Sequence, residues 1–280
     1  MNLQQANKHI VNELINIYDK REAQNICNLL LENITTLTKI ERLTNANILL
    51  TQLQQNQLNK ALQQLLQHKP IQQILGYTWF YKNKFFVDES VLIPRSETEE
   101  LVALILQENK NNAFNILDIG TGSGCIAISL KHQLPNATIT AIDISHKALQ
   151  IAKKNAAAID VDINFIELDF LNEDTWKALP RFDLIVSNPP YITEFEKLEM
   201  RNNVLQYEPH LALFTPKNDV LIFYKKIVNF ALTHLNTGGK IYAEINETLS
   251  IETAEKFINK GFEAIIIKDM QGKNRMIKVY

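Results

Sequence analysis

Ile116-Leu117-Asp118-Ile119-Gly120-Thr121-Gly122-Ser123-Gly124 is an apolar run, broken by one acid, that passes into a turn with glycine at every second position. Short apolar runs of this kind read as buried strands, and Cys125 to His132 after them reads as a helix. Strand, glycine turn and helix in succession decide the fold class. Glycine lets the backbone turn sharply and approach a ligand closely, while the helix N-terminus offers unpaired N–H groups. The spacing is G-x-G-x-G, with Cys125 where the dinucleotide fingerprint has its third glycine, and no Gly-Lys-Ser/Thr follows to make a P-loop. Asp118, at the strand's end beside the turn, disfavours a pyrophosphate and favours a cationic or zwitterionic ligand.

Outward from this turn, strand candidates recur at Phe114–Ile119, Ala137–Asp143, Ile163–Leu168, Phe182–Ser187, Lys240–Ile245, Ala264–Ile267 and Met276–Tyr280. Helical patterns lie between most of them, notably at Cys125–His132, Lys147–Ala157 and Val220–Leu235. Alternation of this kind predicts an α/β fold with a doubly wound, mostly parallel seven-stranded sheet. The last two candidates are too close for a helical crossover and predict an antiparallel hairpin at the C-terminal sheet edge. Residues 1–75 have no glycine and carry apolar residues at helical spacing, such as Ile10, Leu14 and Ile17. They predict a small all-α bundle of four or five helices, with Asn33 to Thr38 and the Gln-rich Gln52 to Gln57 as connections. Residues 76–92 read as a β-hairpin linker built on Tyr77–Tyr81 and Phe85–Val87, and 93–280 as the ligand-binding domain. Ser96, with Glu99 three residues on, predicts a capping box at a helix start. Arg95 beside it has two readings, facing a ligand or pairing with a carboxylate.

Two further acids end the next strands. Asp143 lies 23 residues after Gly120, where a carboxylate accepts both hydroxyls of a ribose. Asp169 follows, with Phe170 next to it as a ring able to stack on a purine. Each acid alone reads more often as a turn or cap residue. Three successive strand-end acids beside Gly120, Thr121, Gly122, Ser123 and Gly124 describe an adenosine ligand with a positively charged end, S-adenosylmethionine.

At the end of Phe182–Ser187 stands Asn188-Pro189-Pro190-Tyr191. Two prolines fix φ and supply no N–H, so the turn presents the Asn188 amide and the Pro189 carbonyl without a competing local donor. That suits gripping a planar –NH2 group, although Asn-Pro-Pro also serves as an ordinary loop start.

Composition bounds the rest. The chain has 280 residues, 46% hydrophobic and 21% charged, values of a globular protein. A net charge of −2 argues against binding nucleic acid through bulk electrostatics. Cys27 and Cys125 stand far apart, which points to a reducing compartment and away from structural zinc; no metal site is expected. The first residues show no apolar signal segment and no stretch approaches membrane-spanning length, so the expectation is a soluble cytoplasmic monomer with no membrane and no stable nucleic-acid partner.

With these motifs in view, the chain resembles the class I S-adenosylmethionine-dependent methyltransferases and, among them, the peptide-chain release factor glutamine N5-methyltransferases. The likeness rests on Leu92-Ile93-Pro94-Arg95-x-Glu97-Thr98-Glu99, Asp118-x-Gly120-Thr121-Gly122-Ser123-Gly124, Asn188-Pro189-Pro190-Tyr191, Tyr207-Glu208-Pro209 and Asp269-x-x-Gly272-x-x-Arg275, and on the helical N-terminal region. Ser96, Gln73 and Asn246 depart from it, standing where proline, tyrosine and glycine are usual; Asn tolerates left-handed backbone, which makes the last conservative. The resemblance implies methylation of the glutamine in a release factor's Gly-Gly-Gln loop. The expected roles are catalytic for Asn188, Pro189 and Tyr191, with Pro190 helping to bind substrate. Asp118, Gly120, Thr121, Gly122, Ser123, Gly124, Asp143, Asp169, Phe170 and Asn188 are expected to hold the cofactor. Two alternatives stand beside it. One is an adenine-N6 methyltransferase acting on DNA or RNA, since adenine also presents a planar –NH2; the other is a non-enzymatic adaptor.

Overall fold

Capping chemistry sets the helices at the start of the chain, in a computed structural model that describes residues 1–109 and 114–280. Helix α1 (Leu3–Leu14) opens on a capping box between Asn2 and Gln5, and α2 (Lys20–Thr35) on Asp19, whose carboxylate accepts the N–H groups of Arg21 and Glu22. Helix α3 (Lys39–Thr44) starts with a Thr38–Glu41 box and α4 (Gln52–Leu66) with a Thr51–Gln54 box. The Gln-rich stretch expected as a connection is therefore the first turns of α4. Glutamine is a good helix former, and Thr51 supplies the start signal. Helix α5 (Ile71–Leu75) stops at Gly76, whose φ of 76° only glycine adopts freely. Leu3, Ala6, Ile10 and Leu14 of α1 meet Ile26, Cys27 and Leu30 of α2 and Leu58, Leu62 and Leu65 of α4 in one buried cluster. This unit spans Met1–Gly76 and also takes in Arg201–Tyr207 from much later in the chain. Within it the Gln73 amide donates to the Tyr207 carbonyl at 2.8 Å, and the Tyr207 hydroxyl donates to the Gln67 carbonyl at 2.8 Å.

The second unit comprises Tyr77–Met200 and Glu208–Tyr280. It begins with an antiparallel hairpin, β1 (Tyr77–Phe80) and β2 (Asn83–Phe86), closed by Tyr81 and Lys82 at φ 45° and 67°. Helix α6 (Ser96–Glu108) follows, and the expected Ser96–Glu99 capping box does not form. Glu99 instead accepts the Tyr81 N–H at 2.7 Å, so the hairpin holds the carboxylate that a box would need.

Then come β3 (Asn115–Ile119), α7 (Cys125–Gln133), β4 (Thr138–Asp143), α8 (His146–Ile159), β5 (Asn164–Glu167) and β6 (Phe182–Ser187). Short helices α9 (Asn202–Tyr207, in the helical unit) and α10 (His210–Leu213) precede α11 (Ile222–His234) and β7 (Leu235–Glu244). Helix α12 (Ser250–Ile258), β8 (Ala264–Lys268) and β9 (Asn274–Val279) end the chain. The strand order is β5-β4-β3-β6-β7-β9-β8, with β9 antiparallel to both neighbours and the other pairings parallel. This is the predicted seven-stranded, mostly parallel sheet with an antiparallel C-terminal hairpin.

Apolar residues cover both faces, as parallel sheets require. Ile116, Leu184, Val186 and Tyr242 pack with α6 and α7, while Leu117, Ile119, Ile185 and Ile241 pack with α11 and α12. Winding proceeds from β3 to β4 and β5 on one side, then from β6 outward on the other. The reversal lies between β3 and β6, the switch point where open α/β sheets bind ligands. Among the described residues no helix is long and apolar enough to cross a membrane.

Candidate active site

Register decides what meets at the switch point. Ile119 at the end of β3 is paired with Ser187 at the end of β6 and with Ile142 near the end of β4. The glycine turn and Asn188-Pro189-Pro190 therefore leave the sheet from adjacent strands at the same level, and the Ser187 hydroxyl ties them by donating to the Ile119 carbonyl at 2.8 Å. Between them opens a cleft of about 940 Å³, counting its solvent-open mouth. Of the predicted residues, Gly120, Gly122, Asp143, Asp169, Phe170, Asn188, Pro189 and Pro190 form its wall. Asp118, Thr121, Ser123, Gly124 and Tyr191 stand outside that wall.

The glycines divide by role. Gly120 and Gly122 hold φ of 72° and 56°, and a Cβ on either would meet nothing within 4 Å. Gly124, at φ 81°, is a packing position, because a Cβ there would lie 2.7 Å from the Ile128 methyl and 3.2 Å from the Ala152 methyl. Asn155, fully buried on α8, accepts the Phe86 N–H at 2.7 Å and donates to the Ser123 carbonyl at 2.9 Å, tying the turn to the hairpin.

Each acid sits differently. Asp118 is fully buried; its Oδ2 accepts the Thr121 hydroxyl at 2.6 Å, and its Oδ1 makes no hydrogen bond. Burial pushes this carboxyl up to about 7, against the Thr121 hydrogen bond. Asp143 accepts the Gly122 and Ser145 N–H groups, each at 2.8 Å, and burial raises it too. Asp169 is exposed and accepts the Leu171 N–H at 3.0 Å. Phe170 reaches the cleft braced from behind, stacked on Trp176 at 5.3 Å and edge-on to Phe230. An orphaned buried carboxylate oxygen beside two glycines facing open space fits a ligand with a cationic group and an adenosine body.

The Asn188 amide belongs to a network that sequence reasoning missed. Its Nδ2 donates to the Thr98 hydroxyl at 3.2 Å, and that hydroxyl donates to Glu244 Oε1. Among the described residues, no donor reaches Asn188 Oδ1 or the Pro189 carbonyl. Tyr191 packs against the core cluster with its hydroxyl 3.5 Å from Glu244 Oε2. Asn246 donates to the Tyr191 carbonyl at 3.0 Å and accepts the Thr248 N–H at 2.8 Å. Its φ is −67°, so left-handed tolerance plays no part there; the side chain does the work. Glu244 ends β7 as a fourth strand-end acid, the signal that had already marked Asp118, Asp143 and Asp169. Arg95 takes the second of its two readings, pairing with buried Glu208, which also accepts the Ile93 N–H at 3.1 Å.

Sheet order, glycine turn and switch-point cleft define a methyltransferase of the doubly wound class. Residues 97–207 match the methyltransferase small domain and residues 5–76 the PrmC N-terminal domain. A solved methyltransferase from Pyrococcus furiosus shares the fold, with a TM-score of 0.51 at 19% identity over 70% of this chain and 86% of that one. The release factor glutamine methyltransferase of Flavobacterium psychrophilum is 46% identical, covering 96% of this chain and 95% of its own. That of Bacteroides thetaiotaomicron is 41% identical, covering 96% of each. The chain belongs to the release factor glutamine methyltransferase family.

Proposed function

We propose that the protein transfers a methyl group from S-adenosylmethionine to the side-chain amide nitrogen, N5, of the glutamine in the Gly-Gly-Gln loop of peptide-chain release factors. The observation that carries this reading is the pair of acceptors at the cleft, Asn188 Oδ1 and the Pro189 carbonyl, both without a donor among the described residues. The names of its relatives and the match of residues 5–76 support a release factor as the partner. An adenine amino group as acceptor is not favoured by the same relatives.

S-adenosylmethionine, when bound, supplies a methyl group already activated by its sulfonium charge. The chain's own task is to hold and orient. Asp118 would face the ligand's positive end, supported by Thr121. Gly120 and Gly122 admit its backbone-close approach, with Ser123 and Gly124 fixing the turn. Asp143 and Asp169 would take the ribose and adenosine edges, and Phe170 forms the apolar wall beside them. Asn188 Oδ1 and the Pro189 carbonyl each accept one N–H of the glutamine amide, which aims the nitrogen lone pair. Charge that develops on that nitrogen strengthens both hydrogen bonds in the transition state. Pro190 keeps the turn rigid, and Tyr191 buttresses it from the core. No side chain need act as a base, since the charged product can lose its proton to water.

Incubation with isotope-labelled S-adenosylmethionine and either a purified release factor or DNA tests the reading. Label is expected on the release factor. Asn188→Ala should abolish transfer while cofactor affinity, measured by equilibrium titration, stays within about tenfold. Transfer retained in Asn188→Ala would remove the residue's role, and label on DNA alone would overturn the substrate.

A further inference from the structure

We propose that Glu244, acting through the Thr98 hydroxyl, is a positioning residue that sets which end of the Asn188 amide faces the acceptor. The proposal rests on the methyl-transfer reading above and adds to it the origin of the amide's orientation.

A threonine hydroxyl has one proton to donate and lone pairs to accept with. Ionised Glu244 can only accept, so the Thr98 proton points to Glu244 Oε1, and Thr98 must in turn accept from Asn188. That forces Nδ2 toward Thr98 and leaves Oδ1, the acceptor, free. Protonated Glu244 can donate, which lets Thr98 donate to Asn188 and draws Oδ1 inward. The amide then presents –NH2 to a substrate that is itself –NH2, and the clamp repels what it should hold. Three side chains thus act as one polarised chain, with the carboxylate at its closed end.

The surroundings of Glu244 suit that role. The side chain is buried at 1% exposure, which leaves it no solvent partner to compete with Thr98. Burial pushes its carboxyl up to about 7; Arg275 on β9 opposes this, Glu97 on α6 reinforces it, and the Thr98 and Tyr191 hydroxyls oppose it. Tyr224 on α11 donates to its backbone carbonyl at 2.9 Å, and the buried Cys125 thiol on α7 also feels its charge. Arg275 is held by Asp269 at 3.4 Å, so its charge is shared between the two acids.

The test measures kcat for label transfer to a purified release factor at saturating S-adenosylmethionine, across about pH 6 to 9. Saturation confines any titration of the cofactor-binding acids to KM. In the native chain kcat should rise with pH through about 7 and level off above it. Glu244→Gln keeps the shape but removes the charge that sets the proton order. Its kcat should fall about tenfold, with the acid limb gone and KM for S-adenosylmethionine within about twofold. Thr98→Val should lose about as much, and Thr98→Ser, which restores the hydroxyl, should recover to within about threefold of the native rate. Glu244→Gln with native kcat and an intact acid limb would overturn the positioning role, as would Thr98→Ser as slow as Thr98→Val. A native chain that labels no release factor would instead overturn the proposed function itself, before any variant is compared.

Discussion

Asp118 holds a charge-bearing group with no exposed surface and an Oδ1 that makes no hydrogen bond, an arrangement a folded chain tolerates poorly unless a partner arrives. A cation would be that partner, and it would favour the ionised form of a carboxyl that burial holds near 7. Affinity for S-adenosylmethionine should therefore strengthen as pH rises through about 7 and weaken below it. Asp118→Asn should bind roughly ten- to a hundredfold more weakly and lose most of that pH dependence. Calorimetric titration of both proteins at two pH values checks this, and equal slopes would show that Asp118 does not face the ligand's charge. At this scale Thr98 and Asn246 teach the same lesson. Each carries its role through a hydrogen bond to a distant residue, and neither residue type advertises it.

Elements inherit what such residues allow. The β3-to-α7 turn places glycines at alternate positions, but the two outcomes differ sharply. Gly124 packs against Ile128 and Ala152, so Gly124→Ala combines a left-handed backbone with a steric overlap and should destabilise the fold by about 1–3 kcal/mol. Gly122 faces open space, so Gly122→Ala carries the backbone strain of about 1–2 kcal/mol alone. Its methyl group would also enter the cleft and lower cofactor affinity. Thermal melts and equilibrium titration on the pair separate the effects; a Gly124→Ala protein as stable as the native one would refute the packing role. Helix α4 carries the opposite lesson. Its glutamines looked like linker by composition, and a capping box made them helix.

Across the whole molecule, two buried carboxyls make folding a proton-binding process. Asp118 and Glu244 keep their protons to about 7 when folded, whereas unfolded carboxyls release theirs near about 4. Their contribution is therefore fully present below the ordinary carboxylate range and is lost as pH rises through about 7. The ligand-free protein should melt at a higher temperature at about pH 5.5 than at pH 8, a window that avoids the carboxylates held low by partners, such as Asp269. The double variant Asp118→Asn with Glu244→Gln should flatten the dependence. Scanning calorimetry across that window decides it, and an unchanged slope in the double variant would assign the effect to other groups. Activity would then pull against stability at Glu244, whose ionised form serves the clamp and whose protonated form serves the fold.

Local chemistry is what the sequence by itself determined about this protein. Near-continuous apolar runs on β3 and β6 announce a sheet buried on both faces, and Gly120, Gly122 and Gly124 announce a turn that only glycine makes easily. Asn188-Pro189-Pro190 announces a turn whose two prolines offer no backbone N–H. Each of these is a property of neighbouring residues, so period and composition reveal it. What only the tertiary structure decided is which polar groups meet. Thr98 lies 90 residues from Asn188 and 146 from Glu244, and no periodicity links such distances. The same holds for Asp143, whose side chain closes on Gly122, 21 residues away. The parallel register of β3, β6 and β7 brings Asn188 and Glu244 to one sheet edge, and α6 lays Thr98 between them. Hydrogen bonds are directional and short, so a polar side chain's role is settled by the fold around it, whereas an apolar residue needs only burial.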